Sequence, residues 1–583
     1  MIRFLRLRIG GEQGAALPMV IGITVVLGLL VTTAVAYATG GFRQAAATQQ
    51  WSASLAAAYA GVEDYQSRLS EDTSYVQYGN PTAPFSATSD LRLPSGANVN
   101  SAFNTLASEP WVKVPGSADD SYFRYEVDNS KYQSSGTIRV RSTGKVGTET
   151  RSIVADLRQS GFIDFLYFTD YEIMDPSFSS ASNNCVKYWW DGRSGISGNC
   201  GEIAFSGGDT VDGPVHSNDT IRICSASFLG AVTTSYRPSS GVKYNPRDSN
   251  GNYCNGQYFD VPGSPSFSPV IGMPATNSQH LRETRSDLVT DGVPRPGCLY
   301  TGPTEITLNS NGTITVHSPW TKKTQITGSP ATGGSAPSMC GTVSQLNGSS
   351  GATFTLPPSN VIYVQNVPSV SGDPNYWASN ARPSGLSCVG ERGRTDENGN
   401  GNGIGYPIRN ENAPSGSYGC RNGDLFVKGT VSGQATLSAE HYVYVTGDIV
   451  YKDSQEDVLG LVGNDAIWVW NPTTGSDRYR DNTLLGGSNR RIDAAVLSVG
   501  HTFAVQNPGI GSGRGTLTVN GAIAQKFRGI VRSGSGGYVK NYVYDVRLKY
   551  TAPPKFLSPV TTTYGVNVWI EVEPAFEASG AAR

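Results

Sequence analysis

The stretch AALPMVIGITVVLGLLVTTAVAYATGG, Ala15 to Gly41, contains no charged residue, and the reading of the whole chain turns on it. At about 1.5 Å per residue, a helix of this length spans a hydrocarbon layer of about 30 Å. The leader before it, MIRFLRLRIGGEQG, carries Arg3, Arg6 and Arg8, and the next basic residue is Arg43. Arginines stay on the cytoplasmic side of a span, so the N-terminus is expected inside and everything after residue 43 outside. A cleaved secretory signal is the alternative, because Ala34-Val35-Ala36 and Ala36-Tyr37-Ala38 offer small-residue cleavage sites. Two features oppose it. The apolar run exceeds the roughly 7–15 residues of a signal core. The helical pattern also continues, as RQAAATQQWSASLAAAYAGVEDYQSRL from Arg43 to Leu69, without a proline. Its larger apolar groups, Trp51, Leu55, Tyr59, Val62, Tyr65 and Leu69, fall three or four apart and share one helical face. One helix is therefore expected to leave the membrane and bury that stripe against a folded exterior.

The remainder of the 583 residues is too long for one core, and about three units are expected at roughly 100–200 residues each. Charged residues are 16% of the chain, against about 25% in typical soluble proteins, while glycine (69) and proline (33) are abundant. That mixture favours short strands and tight turns over surface helices. A net charge of −2 gives no electrostatic case for nucleic acid. The eight cysteines, Cys185, Cys200, Cys224, Cys254, Cys298, Cys340, Cys388 and Cys420, are confined to one loop-rich region and contain no CxxC pair. An even set without metal-ligand spacing implies disulfides made in an oxidising compartment. Sequential pairing is the simplest of roughly a hundred possible connectivities.

The N-terminal layout resembles that of type IV pilins, and more closely the PilX-type minor-pilin family. The residues that carry the resemblance are the basic leader, the junction Gly14, Ala15, Ala16 and Leu17, and the alanine-rich continuation ending in Ala60, Gly61, Val62, Glu63 and Asp64. The resemblance covers about residues 1–70. It implies cleavage by a prepilin peptidase after Gly14 and N-methylation of Ala15. It also implies residence in a bacterial cytoplasmic membrane, contact with membrane lipid, and assembly with other pilins and the pilus machinery through the helix. One position departs. Major pilins carry glutamate at the fifth mature residue, which here is Met19, and its loss suits a minor, tip or priming component. Pro18 fits an early helical position, where its missing N–H costs little.

Outside the membrane, YFRYEVDN (122–129), GTIRVRSTGKVG (136–147) and TETRSIVADLRQ (148–159) alternate apolar and polar residues between glycines. They predict an antiparallel meander packed on the amphipathic half of the helix. Beyond Gly161 short strands recur about every six to ten residues, notably in 207–234, 423–451 and 515–531. The expected fold is mainly β. It comprises a leader (1–14), a transmembrane helix (15–41), a pilin-like helix with a small antiparallel sheet (42–160), and a disulfide-braced, right-handed parallel β-helix-like module (161–583) with an insertion at about 235–422. A β-sandwich is the alternative for that last module. The segments 447–470 and 537–559 also resemble β-helical ectodomains fused to PilX-type N-termini.

Catalytic signals are sparse. The five histidines, His216, His280, His317, His441 and His501, are scattered, and each is expected exposed or as a satisfied loop residue. No GxSxG elbow or P-loop occurs, and GNGNGIG (399–405) and GIGSGRG (509–515) read as turns. Asp396-Glu397-Asn398-Gly399-Asn400-Gly401 opens like a calcium loop, with Asp396, Asn398 and Asn400 as ligands, although Pro407 stands where the bidentate glutamate belongs. Glu411 is a remote substitute, and a plain polar turn is the other reading. Polysaccharide-acting enzymes need two carboxylates facing each other across the scissile bond; Asp209, Asp212 and Asp219 form one acidic cluster, but strand-end aspartates are commonly turn formers. Tyr188, Trp189 and Trp190 are candidate contact residues. The expected function is non-enzymatic, a minor pilin-like subunit displaying its β-module for assembly or adhesion. A membrane-tethered carbohydrate or cell-wall binder and, behind it, a polysaccharide-acting enzyme are the alternatives.

Overall fold

The structure is a computed structural model. It describes residues 16–583 except 72, 97–98, 105–107, 109, 118–119, 133–136, 160, 194–199, 249–250, 289–296, 327–336, 397–398, 476–482, 487, 550, 558 and 560–563. The chain is mainly β and divides into two units. The first comprises Met1–Ser130, Thr137–Arg158 and Tyr564–Arg583; the second comprises Lys131–Gly136 and Gln159–Thr563.

In the first unit a single helix, α1, runs unbroken from Ala16 to Glu71. The foreseen meander is present as Ser121–Asp128, Thr137–Val146 and Glu149–Gln159, paired antiparallel, with Val112–Lys113 on its outer edge. Phe123, Tyr125 and Val127 point at the helix, where Tyr65 lies 5.5 Å from the Tyr125 ring and 5.6 Å from Tyr75. Arg124 and Glu126, on the opposite face, are also buried. Glu126 is paired with Arg141, and the cover over Arg124 comes from the far end of the chain. Tyr564–Val572 is the last strand of this sheet, and the Arg124 guanidinium sits over Trp111 and Phe576 and donates to the Gly580 carbonyl at 3.1 Å. The expected boundary at 160/161 therefore needs a correction, because residues 564–583 belong to the helix-bearing unit and the second unit is inserted in the sequence between two strands of that unit's sheet.

The second unit stacks its strands in parallel. One ladder runs, neighbour to neighbour, through Cys298–Thr301, Asn360–Gln365, Gln434–Ala439, Val458–Gly463, Arg490–Ser498 and Thr516–Phe527. It continues through Tyr167–Tyr171, Val215–Ser217, Val232–Thr234 and Ser266–Phe267. Inward side chains are β-branched or aliphatic, as in Val215, Ile362, Leu437, Leu461, Val496 and Ile523, and they form one continuous core. A single turn of such a coil has too little apolar contact to stand alone, so stability comes from stacking. This pairing is that of a parallel coil and not of the sandwich alternative, since antiparallel rungs occur only around Thr313–His317 among the described strands of the stack.

The order of the ladder was not foreseen. The chain enters mid-stack at Tyr167, winds to one end at Phe267, and runs back alongside the coil. It re-enters at Cys298 and winds until Ile523 pairs with Tyr167. The stretch expected as an insertion, 235–422, thus supplies rungs of the same stack, with excursions such as the hairpin Thr313–His317/Ala352–Thr355. The returning strap is stitched by buried polar side chains. Asn218 exchanges hydrogen bonds with the Ile271 backbone at 2.7 and 2.8 Å, and Asn277 donates to the Ala439 carbonyl at 2.7 Å. The carbonyl of Lys555 can only accept, so the His280 Nε2 at 2.8 Å carries the proton and Nδ1 accepts from Ser438 at 2.9 Å.

Candidate functional site

The helix α1 presents two different surfaces. Its second half is built for close approach to a sheet. Ser54, Ala57, Ala58, Val62, Tyr65 and Leu69 are buried. A β-carbon on Gly144 would lie 2.0 Å from the Ser54 carbonyl oxygen and 2.2 Å from the Ala58 nitrogen; one on Gly61 would lie 2.2 Å from the Ser142 hydroxyl. Both glycines are thus required by packing, not by backbone conformation. Asp64 accepts from the Tyr125 hydroxyl at 2.7 Å and pairs with Arg68 at 2.9 Å, so the stretch from Ala60 to Asp64 is explained by this docking. The expected stripe is corrected at its upper end. Trp51 is 48% exposed and Tyr59 37%, because the backbones come too close there for large side chains. They flank the contact instead, Trp51 under Arg151 and Tyr59 edge-on to Trp569.

From Ala16 to Phe42 the first half is apolar on every side. Every residue from Ala16 to Gln49 is exposed, including Val25, Val26, Leu27, Leu29, Leu30 and Val31. A helix that is apolar all round needs a surrounding of lipid or of other helices. Its few polar groups are satisfied internally. The hydroxyls of Thr24, Thr32, Thr33 and Thr39 donate to carbonyls three or four residues back, at 2.8 to 3.0 Å. That is the condition for a backbone and its hydroxyls to sit in hydrocarbon. Among the described residues this is the one helix long and apolar enough to cross a membrane. Gly14 and Ala15, the expected processing junction, lie outside the described residues.

The remaining expected sites are scattered. All eight cysteines are paired sequentially as 185–200, 224–254, 298–340 and 388–420, and each bond closes one excursion of the coil. At the calcium-like loop both carboxylate oxygens of Asp396 accept from Asn400, from its backbone N–H at 2.6 Å and its side chain at 3.0 Å. Asn398 lies outside the described residues. Glu411 is elsewhere engaged, accepting from Tyr418 at 2.6 Å, and burial pushes its carboxyl up to about 7. The acidic cluster is dispersed as well. Asp209 binds Lys540 at 3.0 Å, Asp212 ends an exposed strand, and Asp219 is fully buried against Arg193. Arg193 also meets Glu202 at 2.9 Å, in a buried ionic network beside Cys185–Cys200. Tyr188 stacks between Tyr171 and Trp190 and donates to Asp170 at 2.8 Å; Trp190 alone of the three expected contact residues is largely exposed, at 42%.

Two histidines depart from expectation. His216 and His280 are fully buried in coil-stabilising hydrogen bonds, and burial lowers both to about 4. His441 pairs with Asp424 at 2.5 Å and His501 with Asp175 at 2.7 Å.

The architecture joins one long helix with an apolar, exposed first half to a mainly β chain braced by four disulfides. No family model matches the chain, and no curated protein matches it. Among solved structures it is similar to the competence-associated pilin ComZ from Thermus thermophilus, at 11% identity over 90% of this chain and 98% of that one, with a TM-score of 0.23.

Proposed function

We propose that this chain is a minor pilin-like subunit of a type IV pilus-class fibre, cut after Gly14 and held by α1 in a bacterial cytoplasmic membrane until helix-to-helix packing draws it outward. The observation that carries the reading is the division of one uninterrupted helix into an apolar, wholly exposed half and a half docked on an antiparallel sheet through Gly61 and Gly144. A retained helix of this kind can exchange lipid for neighbouring pilin helices at little cost, since both surroundings are apolar. The second unit is then the displayed part, and its role is contact with a partner or surface, not chemistry. The ion pairs that occupy Asp209 and Asp219 support that part of the proposal. Partners on this reading are prepilin peptidase, other pilins and the assembly machinery.

The test is fractionation of sheared surface fibres from cells with and without the prepilin peptidase. The chain is expected in the fibre fraction of the first and stranded in the membrane of the second. Equal release from both strains refutes the proposal.

A further inference from the structure

A groove of about 470 Å³, uncharged among the described residues, opens on the second unit. Tyr444 and Trp468 are register partners on adjacent rungs, so their side chains stand on the same outward face one above the other. Tyr442 precedes the first of these strands, and Phe178 arrives from the loop after Tyr167–Tyr171. The Phe178 ring is 5.0 Å from Trp468 at 72° and 5.9 Å from Tyr442, and Phe178 is 37% exposed. The groove thus carries aromatic surfaces set at steep angles to one another. The rest of the lining is hydroxyl and amide, notably Ser179, Ser417, Gln506 and Asn507, and among the described residues no acidic, basic or histidine side chain lines it. Tyr444 is 1% exposed, and its hydroxyl has no hydrogen-bond partner of good geometry among the described residues. Native interiors rarely leave such a group unmatched.

The wall is held in place before any ligand arrives. Residues 414–417 adjoin Tyr418, whose hydroxyl is gripped by Glu411 at 2.6 Å, Trp470 at 3.0 Å and Gln506 at 3.0 Å, and the nearby Cys388–Cys420 bond closes the same excursion. Preorganisation of this kind removes part of the entropy cost of binding.

We propose that this groove binds a neutral oligosaccharide. Pyranose rings present apolar C–H faces to aromatic rings and hydroxyls at their edges, which serine and amide groups match. Phosphates, acidic glycans and nucleic acids need cationic partners that the lining lacks among the described residues. The site binds without cleaving. Hydrolysis needs two carboxylates across the bond, and among the described residues the adjoining 80 Å³ cavity contributes one carboxylate, Asp175, which is paired with His501 at 2.7 Å. The inference does not rest on the fibre proposal and holds for any surface-displayed form of the chain.

The test is calorimetric titration of the full-length protein in detergent with cellohexaose, maltohexaose and chitohexaose, alongside oligogalacturonate and a proline-rich decapeptide. At least one neutral hexasaccharide is expected to bind, with an affinity unchanged between about 50 and about 500 mM salt. Trp468→Ala and Phe178→Ala are each expected to weaken it about tenfold, the change that about 1.4 kcal/mol produces. Phe178 lies on an exposed loop, so its variant keeps the test valid if Trp468→Ala does not fold. The proposal is overturned if no neutral hexasaccharide binds, if only oligogalacturonate or the peptide binds, or if binding survives the Phe178→Ala change in a folded protein.

Discussion

The two halves of α1 are one helix finished by two different surroundings. From Ala16 to Gln49 every side chain is exposed and most are apolar; beyond them Ser54, Ala57 and Ala58 are buried where Gly144 of the sheet approaches, and Val62, Tyr65 and Leu69 are buried further along. Large apolar side chains are therefore exposed throughout the first half and buried only past Gly61, so the first half departs from the usual rule that large apolar residues are inside. The difference teaches that the first half is complementary to a fluid apolar medium, which accepts any shape. The second half is complementary to one fixed surface, which takes only serine and alanine where the Gly144 backbone approaches and admits Val62, Tyr65 and Leu69 beyond it.

The largest expected effect comes from charging the first half. Val25→Arg with Leu29→Arg places two cations near the centre of the span, at about 2.5–3.5 kcal/mol each. Carbonate extraction should release the variant from membranes, while the thermal unfolding of the sheet stays as in the wild type. Next is Gly144→Val, which drives a side chain into the Ser54 and Ala58 backbone. A loss of about 3 kcal/mol in the stability of the first unit is expected by denaturant titration. The matching change in the other half, Gly28→Val, meets nothing within 4 Å and should shift the same midpoint by less than about 0.5 kcal/mol. If both glycines tolerate valine equally, the distinction between the halves fails.

Acid should loosen the second unit and spare the exposed helix. His216 and His280 are held neutral down to about 4, whereas the unfolded chain takes up their protons near 6.5. Between those values the unfolded state binds more protons, so stability falls as pH falls. Glu411 works the opposite way, keeping its proton up to about 7 and weakening the fold as pH rises from 4.5 toward that value. Melting curves of His280→Gln should flatten on the acid side, and those of Glu411→Gln near neutrality. The smallest effect belongs to Trp51→Ala. Its cation–π contact with Arg151 is solvent-exposed and should contribute no more than about 1 kcal/mol, read in the same denaturant titration.

Much of this was legible in local pattern. The uncharged run, the period of the meander and the inward positions Val211, Val215, Leu425, Val427, Leu437 and Val443 follow from periodicity alone, because each depends on neighbours close in sequence. The return of Tyr564–Val572 to the first sheet had a signal, the alternation in YGVNVWIEV, but nothing local says which sheet such a strand joins. The closure of the coil by Tyr167 and Ile523 and the strap through Asn277 and His280 had none. Parallel pairing and buried polar stitching are chosen by partners hundreds of residues away. The same holds for the groove, where Phe178, Tyr442 and Trp468 come from three separate segments and meet only once the rungs are stacked.

The most direct test is the mass of the mature N-terminus recovered from the cell surface. A first residue of N-methylated Ala15, with α1 intact behind it, is the predicted result. A chain beginning near Tyr37 or Thr39 would mean that the lipid-facing half is discarded and that no fibre can be built from it.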